Sequence, residues 1–382
     1  MRVTSLSVLL VLVIASTALA EAQLTVTAVN KLKTSRQSET IELKMDALAP
    51  LGEKDLMKIH VRDGAGKEVL AQAVDTDYDD YHKPDMLIFQ ADFGPNETKT
   101  FTLTAGAKRE YSKEDFRAYG RFVRERFDDF AWENDRIAHR TYGKALITWK
   151  GEPLTSSAID IWSKRTTKLV INDWYMVDDY HADHGEGVDA YSAGPTRGCG
   201  GSGVWSNGQL YIPTNFVDSR VLTNGPIRVM FELVYEPFDV NGVKVSQVLR
   251  VSLDAGSQLD RFQVTSQTAA GNEALALAVG LKKAKEAEKE FNQARGWLTT
   301  WEPVEKKLGM QGLAVVVDPS SVDKLAEDKL NYLVVLKPGA ATYWAGFAWD
   351  RAGQITSAES WKAYIDQFAE RLRSPIAVTV KL

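Results

Sequence analysis

The sequence predicts a mainly all-β protein: a large antiparallel β-sandwich preceded by a smaller N-terminal β-sandwich, with few helices. Three observations carry that expectation. Short runs of alternating apolar and polar residues recur from Leu24 to the C-terminus, turn signals such as GAG at 64–66 and GPNE at 94–97 separate them, and one stretch alone keeps a helical period over several turns.

Residues 1–20, MRVTSLSVLLVLVIASTALA, have the basic start, apolar run and Ala18-Leu19-Ala20 ending of a cleavable secretory leader. No lipid-accepting cysteine follows, and no later apolar run reaches the ~20 residues of a membrane helix. The expectation is a periplasmic or secreted protein with no membrane partner. The 382 residues carry 46 Lys+Arg against 51 Asp+Glu, a net charge of −5, which argues against nucleic acid as a partner because phosphate binding needs a basic surface. A single cysteine cannot form an internal disulfide, so stability must come from packing.

The runs LTVTAV, TIELKM, KIHVRD, EVLAQAV, MLIFQADF and TKTFTLTA make residues 21–107 the N-terminal sandwich domain. A charged connection, KREYSKEDFR at 108–117, opens a second domain over 108–382. Its strands are read at 227–236, 243–254, 259–267, 275–282, 313–318, 332–337 and 376–382. The charge-rich 282–290 segment reads as a solvated loop or helix. The helix starts at a capping box over Thr356–Glu359 and lines Trp361, Tyr364, Ile365, Phe368 and Leu372 on one face, which suits it to cover an edge or end of the large sandwich.

The chemistry concentrates between residues 132 and 205. Gly198–Gly203 matches G-x-G-x-x-G, but VWSNGQLYIPTNF follows it and no helix opens there, so a dinucleotide site is rejected; the glycines serve tight turns or close backbone approach. His181-Ala-Asp-His184 lacks H-E-x-x-H spacing and a third ligand. No cofactor is expected, with a divalent metal at His181 and His184 the open alternative. Cys199 reads as a small buried side chain, and His60 and His82 as structural or surface residues. WENDRIAHRTYG supplies His139, Arg136 and Arg140; SSAIDIWSKR supplies Lys164 and Arg165; a further strand group, LVINDWYMVDDYHADHGEG, supplies Trp174, Tyr175, Tyr180 and Glu186. Aromatic faces beside ionisable groups are what sugar recognition requires.

These segments, with GCGGSGVW, TNGPIRVMFELVY, YWAGFAWDRAG and SWKAYIDQFAERLRSPIAVTV, resemble an exported bacterial family of a domain of unknown function that accompanies uronic-acid polysaccharide degradation, and are similar to ulvan oligosaccharide dehydratases. The resemblance covers most of the chain after residue 130. It implies a sandwich resembling the galactose-mutarotase-like supersandwiches, and a lyase that expels water from a non-reducing-end uronic acid to leave a 4,5-unsaturated uronate. Such a reaction needs a cation on the carboxylate, a base for the C5 proton and an acid for the C4 hydroxyl. The catalytic candidates are His184 as base with Tyr180 as acid, then His139 and His181; the substrate-binding candidates are Arg136, Arg140, Lys164, Arg165, Trp174, Tyr175, Glu186, Tyr191 and Arg197. These side chains are expected to converge in one cleft for an acidic oligosaccharide. A glycoside hydrolase built on two carboxylates from Glu133, Asp135, Asp183, Glu186 and Asp189, and a non-catalytic glycan binder, are the alternatives.

Overall fold

A computed structural model describes residues 22–77, 83–151, 154–271 and 274–382. The leader at 1–20 and His82 lie outside the described residues. Among those described, strands dominate and three α-helices occur.

The N-terminal runs form two facing sheets. In Gln23–Val29 every second residue is buried, so Leu24, Val26 and Ala28 meet Ile41, Leu43 and Phe89 in an apolar core shared with Phe101 and Leu103. One sheet orders the strands Ala377–Lys381, Gln23–Val29, Thr98–Ala105, Ile59–Arg62 and Glu68–Val69; the other orders Arg36–Lys44, Met86–Phe93 and Ala71–Val74. The last strand of the chain therefore lies beside the first, with Thr25 opposite Lys381.

The larger part is a sandwich of one wide sheet against two narrower ones. The wide sheet orders Phe216–Asn224, Arg228–Val240, Val243–Asp254, Leu259–Thr268, Thr342–Trp349, Met310–Val316, Trp297–Pro303 and Glu288–Asn292, all antiparallel. One facing sheet contains Ala118–Val123, Asp129–Asn134, Ala138–Thr141, Asp160–Lys164 and Gly187–Val188; the other is built around Cys199–Ser206, Leu277–Lys282 and Asn331–Leu336. Phe130, Trp132 and Ile161 from the first, Val204, Val279 and Val334 from the second, and Phe231, Val251, Phe262, Leu313 and Phe347 from the wide sheet share one core.

The two narrow sheets are bridged between Ile159 and Gly198. Gly198 stands at φ +58°, and a Cβ there would come 2.0 Å from the Ile159 carbonyl oxygen, so only glycine fits this junction. The glycine-rich run is thus the start of a strand pressed against its neighbours. The segment after Lys168, expected as strand, is instead the short helix Ile171–Val177. The 282–290 segment ends in an edge strand, Glu288–Asn292.

The long helix spans Ala358–Arg373, with Ser357 as N-cap accepting from the Ser360 amide, one residue later than the sequence suggests. Its buried face, Trp361, Ile365 and Ala369, packs on Leu259, Trp297, Ala314 and Val316. Those residues alternate with the core-facing ones, so the helix lies on the outer face of the wide sheet rather than at an edge or end. Among the described residues, no helix is long and apolar enough to cross a membrane.

Candidate functional site

Three neighbouring strands, Asp129–Asn134, Ala138–Thr141 and Asp160–Lys164, divide their side chains between two environments. Phe130, Trp132, His139 and Ile161 point into the sandwich core, while Ala131, Ala138 and Trp162 face outward beneath the helix Ile171–Val177 and the loop after it. Arg140, one residue from His139, therefore takes the outer face.

The covering segment is fastened at both ends. The Glu133 carboxylate accepts from the amides of Val170 and Ile171 at 2.9 and 2.8 Å, which satisfies the start of the helix, and from Lys164 Nζ at 2.6 Å. At the far end Gly187 and Val188 pair with Lys164 and Ser163. Between these anchors Trp174, Tyr175 and Tyr180 pack on the Trp162 ring, with centroids 5.3, 4.8 and 4.8 Å away.

Beneath this aromatic roof Arg140 forms a hub. Its Nε donates to Asp160 Oδ2 at 2.8 Å, its Nη2 donates to Asp189 Oδ2 at 2.9 Å, and its Nη1 lies 3.8 Å from Asp129 Oδ2. Tyr142 donates to Asp160 at 2.8 Å and Tyr175 to Asp129 at 3.3 Å. Burial opposes charge on the guanidinium, but Asp189 and Asp160 hold it well above its ordinary range. Of the three carboxylates around this cation, Asp129 is the one whose burial is least offset. Burial pushes its carboxyl up to about 7, against the pull of Arg140 and Arg126.

The hub reaches solvent at one edge. Arg126 Nε donates to the Tyr180 hydroxyl at 3.1 Å, and its guanidinium lies over Trp149, which stacks on Phe127. His181 is 59% exposed, with its ring 4.7 Å from that of Tyr180 and its Nδ1 3.5 Å from Asp189 Oδ2. Lys306 donates to the His181 carbonyl at 3.3 Å. Half-buried Arg126, buried Tyr180 and exposed His181 are thus contiguous beside buried counter-charges.

The other expected site residues lie elsewhere, which corrects the expectation of one shared cleft. His139 is in the sandwich core, Nε2 2.9 Å from Asp260 Oδ2, because strand alternation turns it away from Arg140. Arg197 is also interior, donating to Ser156, Ser157 and Ser202, and burial lowers its pKa to about 10. Tyr191 is in the core below Lys282. Lys164 is consumed by Glu133 and the Asn134 carbonyl. Arg136 lies toward the long helix, where its charge acts on Tyr364. His184 is 66% exposed and pairs with Asp179 at 2.8 Å, Arg165 pairs with Asp183, and Glu186 pairs with Lys168, so these belong to the outer surface of the covering segment.

Sequence reading missed Arg126, Asp129, Trp149 and Asp160. Asp129 and Asp160 share a face with Arg140 only once strand register is known, and register is not written in any single strand. Of the carboxylates considered for hydrolysis, Glu133, Asp183, Glu186 and Asp189 each already hold a cation, and Asp135 accepts from the Gly256 amide. Among the described residues, no three His, Cys, Asp or Glu side chains converge as a metal-binding group.

Residues 29–378 match the model of a domain of unknown function, DUF4861. The uncharacterized protein P7 of Formosa agariphila is 34% identical over 378 residues, covering 93% of each chain. Among solved structures, a protein in glycosyl hydrolase family 38 from Enterococcus faecalis superimposes with a TM-score of 0.54 at 12% identity, covering 95% of this chain and 48% of that one. An α-mannosidase from Enterococcus faecalis V583 gives a TM-score of 0.49 at 10% identity, covering 95% and 46%. The chain spans about half the length of these two structures. The first likeness is one of fold, and it agrees with the β-sandwich architecture.

Proposed function

The chain belongs to the DUF4861 family, and from that premise we propose that it is an exported carbon–oxygen lyase acting on acidic oligosaccharides, a dehydratase of a terminal uronic acid such as that of ulvan. The observation that carries this reading is the Arg126–Tyr180–His181 edge above the Arg140 hub.

The C5 proton of a uronate is hard to remove because the adjacent carboxylate resists further negative charge. Arg126, with Lys306 close to His181, supplies positive charge where that carboxylate would sit. In this scheme Tyr180 starts as phenolate and takes the C5 proton, becoming the phenol, while Arg126 Nε donates to its oxygen. His181, held by Asp189, gives its proton to the C4 hydroxyl. The C5–H electron pair becomes the C4–C5 double bond, the C4–O bond breaks, and one water leaves. Arg140 and its carboxylates do not touch the sugar in this scheme; they fix the positions of Tyr180 and His181. His184, the base expected from the sequence, is less suited because its imidazole pairs with Asp179 on the outer surface, and the acid and base roles of tyrosine and histidine are exchanged relative to that expectation.

Incubation with uronate-ended oligosaccharides tests the proposal. Elimination generates ultraviolet absorbance from the conjugated double bond with loss of one water in mass. Tyr180→Phe should lower kcat by about 100-fold or more, the scale of a lost acid–base group, while leaving the thermal midpoint nearly unchanged. Products that gain water across a cleaved bond would replace the lyase by a hydrolase. Binding with no change in mass would leave a glycan-binding protein.

A further inference from the structure

A second feature stands on the opposite side of the sandwich. Between the N-terminal sheets, the outer face of the wide sheet and the long helix lies a cleft of about 810 Å³. Its walls come from Arg36–Lys44, from the ends of Val243–Asp254 and Leu259–Thr268, and from Ala358–Arg373. In size it falls within the ~300–1,000 Å³ of small-molecule sites.

The walls are braced against each other. Thr40 donates to Asp254 at 2.8 Å, Gln90 donates to the Ala255 carbonyl at 2.9 Å, and Arg228 joins Asp254 and Glu42. These bonds fix the walls relative to one another. The acids facing the cleft have cations of their own: Arg228 takes Asp254 and Glu42, while Arg371 and Arg36 take Glu39. Arg261 is different. Among the described residues its side chain makes no ion pair or hydrogen bond, and its cross-strand neighbour on the same face is Trp344, whose ring stands against Phe368. An available guanidinium beside an indole, among Ser252, Ser257 and Gln367, is a combination that takes a sugar ring on the aromatic face and an anion on the cation.

We propose that this cleft is a second, non-catalytic binding groove for an acidic glycan chain, with Arg261 on a carboxylate or sulfate and Trp344 under a ring. The choice of a glycan rests on the function proposed above; the anionic aromatic-binding chemistry rests on the cleft alone. Arg261 and Trp344 alternate with the core residues Phe262 and Tyr343, so the groove and the Arg140 hub occupy opposite outer faces of the sandwich. The groove would hold a polymer while the other face acts on chain ends.

Affinity electrophoresis of the full chain through gels containing ulvan, polygalacturonate or neutral dextran tests this, with oligosaccharide turnover followed in parallel. Wild type should be retarded by at least one acidic polymer and not by dextran. Arg261→Gln and Trp344→Ala should each weaken that retardation about tenfold, with turnover of short substrates within twofold of wild type. Arg261→Gln changes an exposed residue, so a folding failure of Trp344→Ala leaves one clean readout. Retardation of both variants like wild type, equal retardation by dextran, or no retardation of wild type overturns the groove. Retention by wild type and its loss in Arg261→Gln, with no turnover by any form, supports the groove and removes the proposed reaction.

Discussion

His139 and Arg140 are adjacent in the chain, and each is buried beside carboxylate, yet they build opposite kinds of site. His139 meets Asp260 inside the sandwich, where Trp132 stacks on its ring and donates to the same carboxylate at 2.7 Å, and Phe347 closes the other side. That pair is sealed. Arg140 lies on the other face of the same strand, with three carboxylates, one of which, Asp189, sits beside the exposed ring of His181. The difference teaches that a buried ionisable group becomes a candidate for chemistry through a connected path to solvent, and burial or a charged partner does not suffice.

The largest break in this comparison comes from Arg140→Leu. It leaves Asp160 and Asp189 buried without their cation, so urea denaturation should show a loss of about 3–5 kcal/mol, and the Tyr180–His181 edge should lose its geometry together with activity. His139→Leu should cost less, about 1–3 kcal/mol, because Trp132 still donates to Asp260. Its kcat per folded molecule should match wild type, and a large loss there would place the inner pair in the mechanism after all.

Asp129 sharpens the comparison through pH. Its carboxyl is raised from 3.8 to about 7 by burial, so the folded state binds this proton more tightly than the unfolded chain does. The resulting cost to stability is absent below about pH 4, grows up to about pH 7 and is constant above that. The melting temperature should therefore fall between about pH 4 and about pH 7, and Asp129→Asn should flatten that slope; an equally steep slope in the variant would show that another group carries it. The smallest effect is expected from His184→Ala. An exposed pair such as His184–Asp179 contributes under about 1 kcal/mol, and turnover should stay within twofold, whereas abolished turnover would return His184 to the role of base.

The candidate region was legible in the sequence as a zone. Tyr180, His181, Arg140 and Tyr175, all read from the chain, do meet at one place. Arg126 and Trp149 were not legible, because their stretches carry no motif and they join the site only through loops that fold back beside Tyr180. Arg197 and Tyr191 looked like neighbours of the site because they follow it closely in the chain, but the strand they introduce runs through the middle of the sandwich.

What the sequence determined by itself is local. Alternation within Gln23–Val29 and the other strands, the capping of the long helix near Ser357 and the all-β class follow from backbone periodicity and from the propensities of neighbouring residues. What the tertiary structure decided is which strands become neighbours and which of the two faces of each strand meets solvent. A one-residue change of register inverts every side chain of a strand, so the gathering of Asp129, Arg140, Asp160 and Asp189, and the pairing of the last strand with the first, depend on long-range packing that no local stretch encodes.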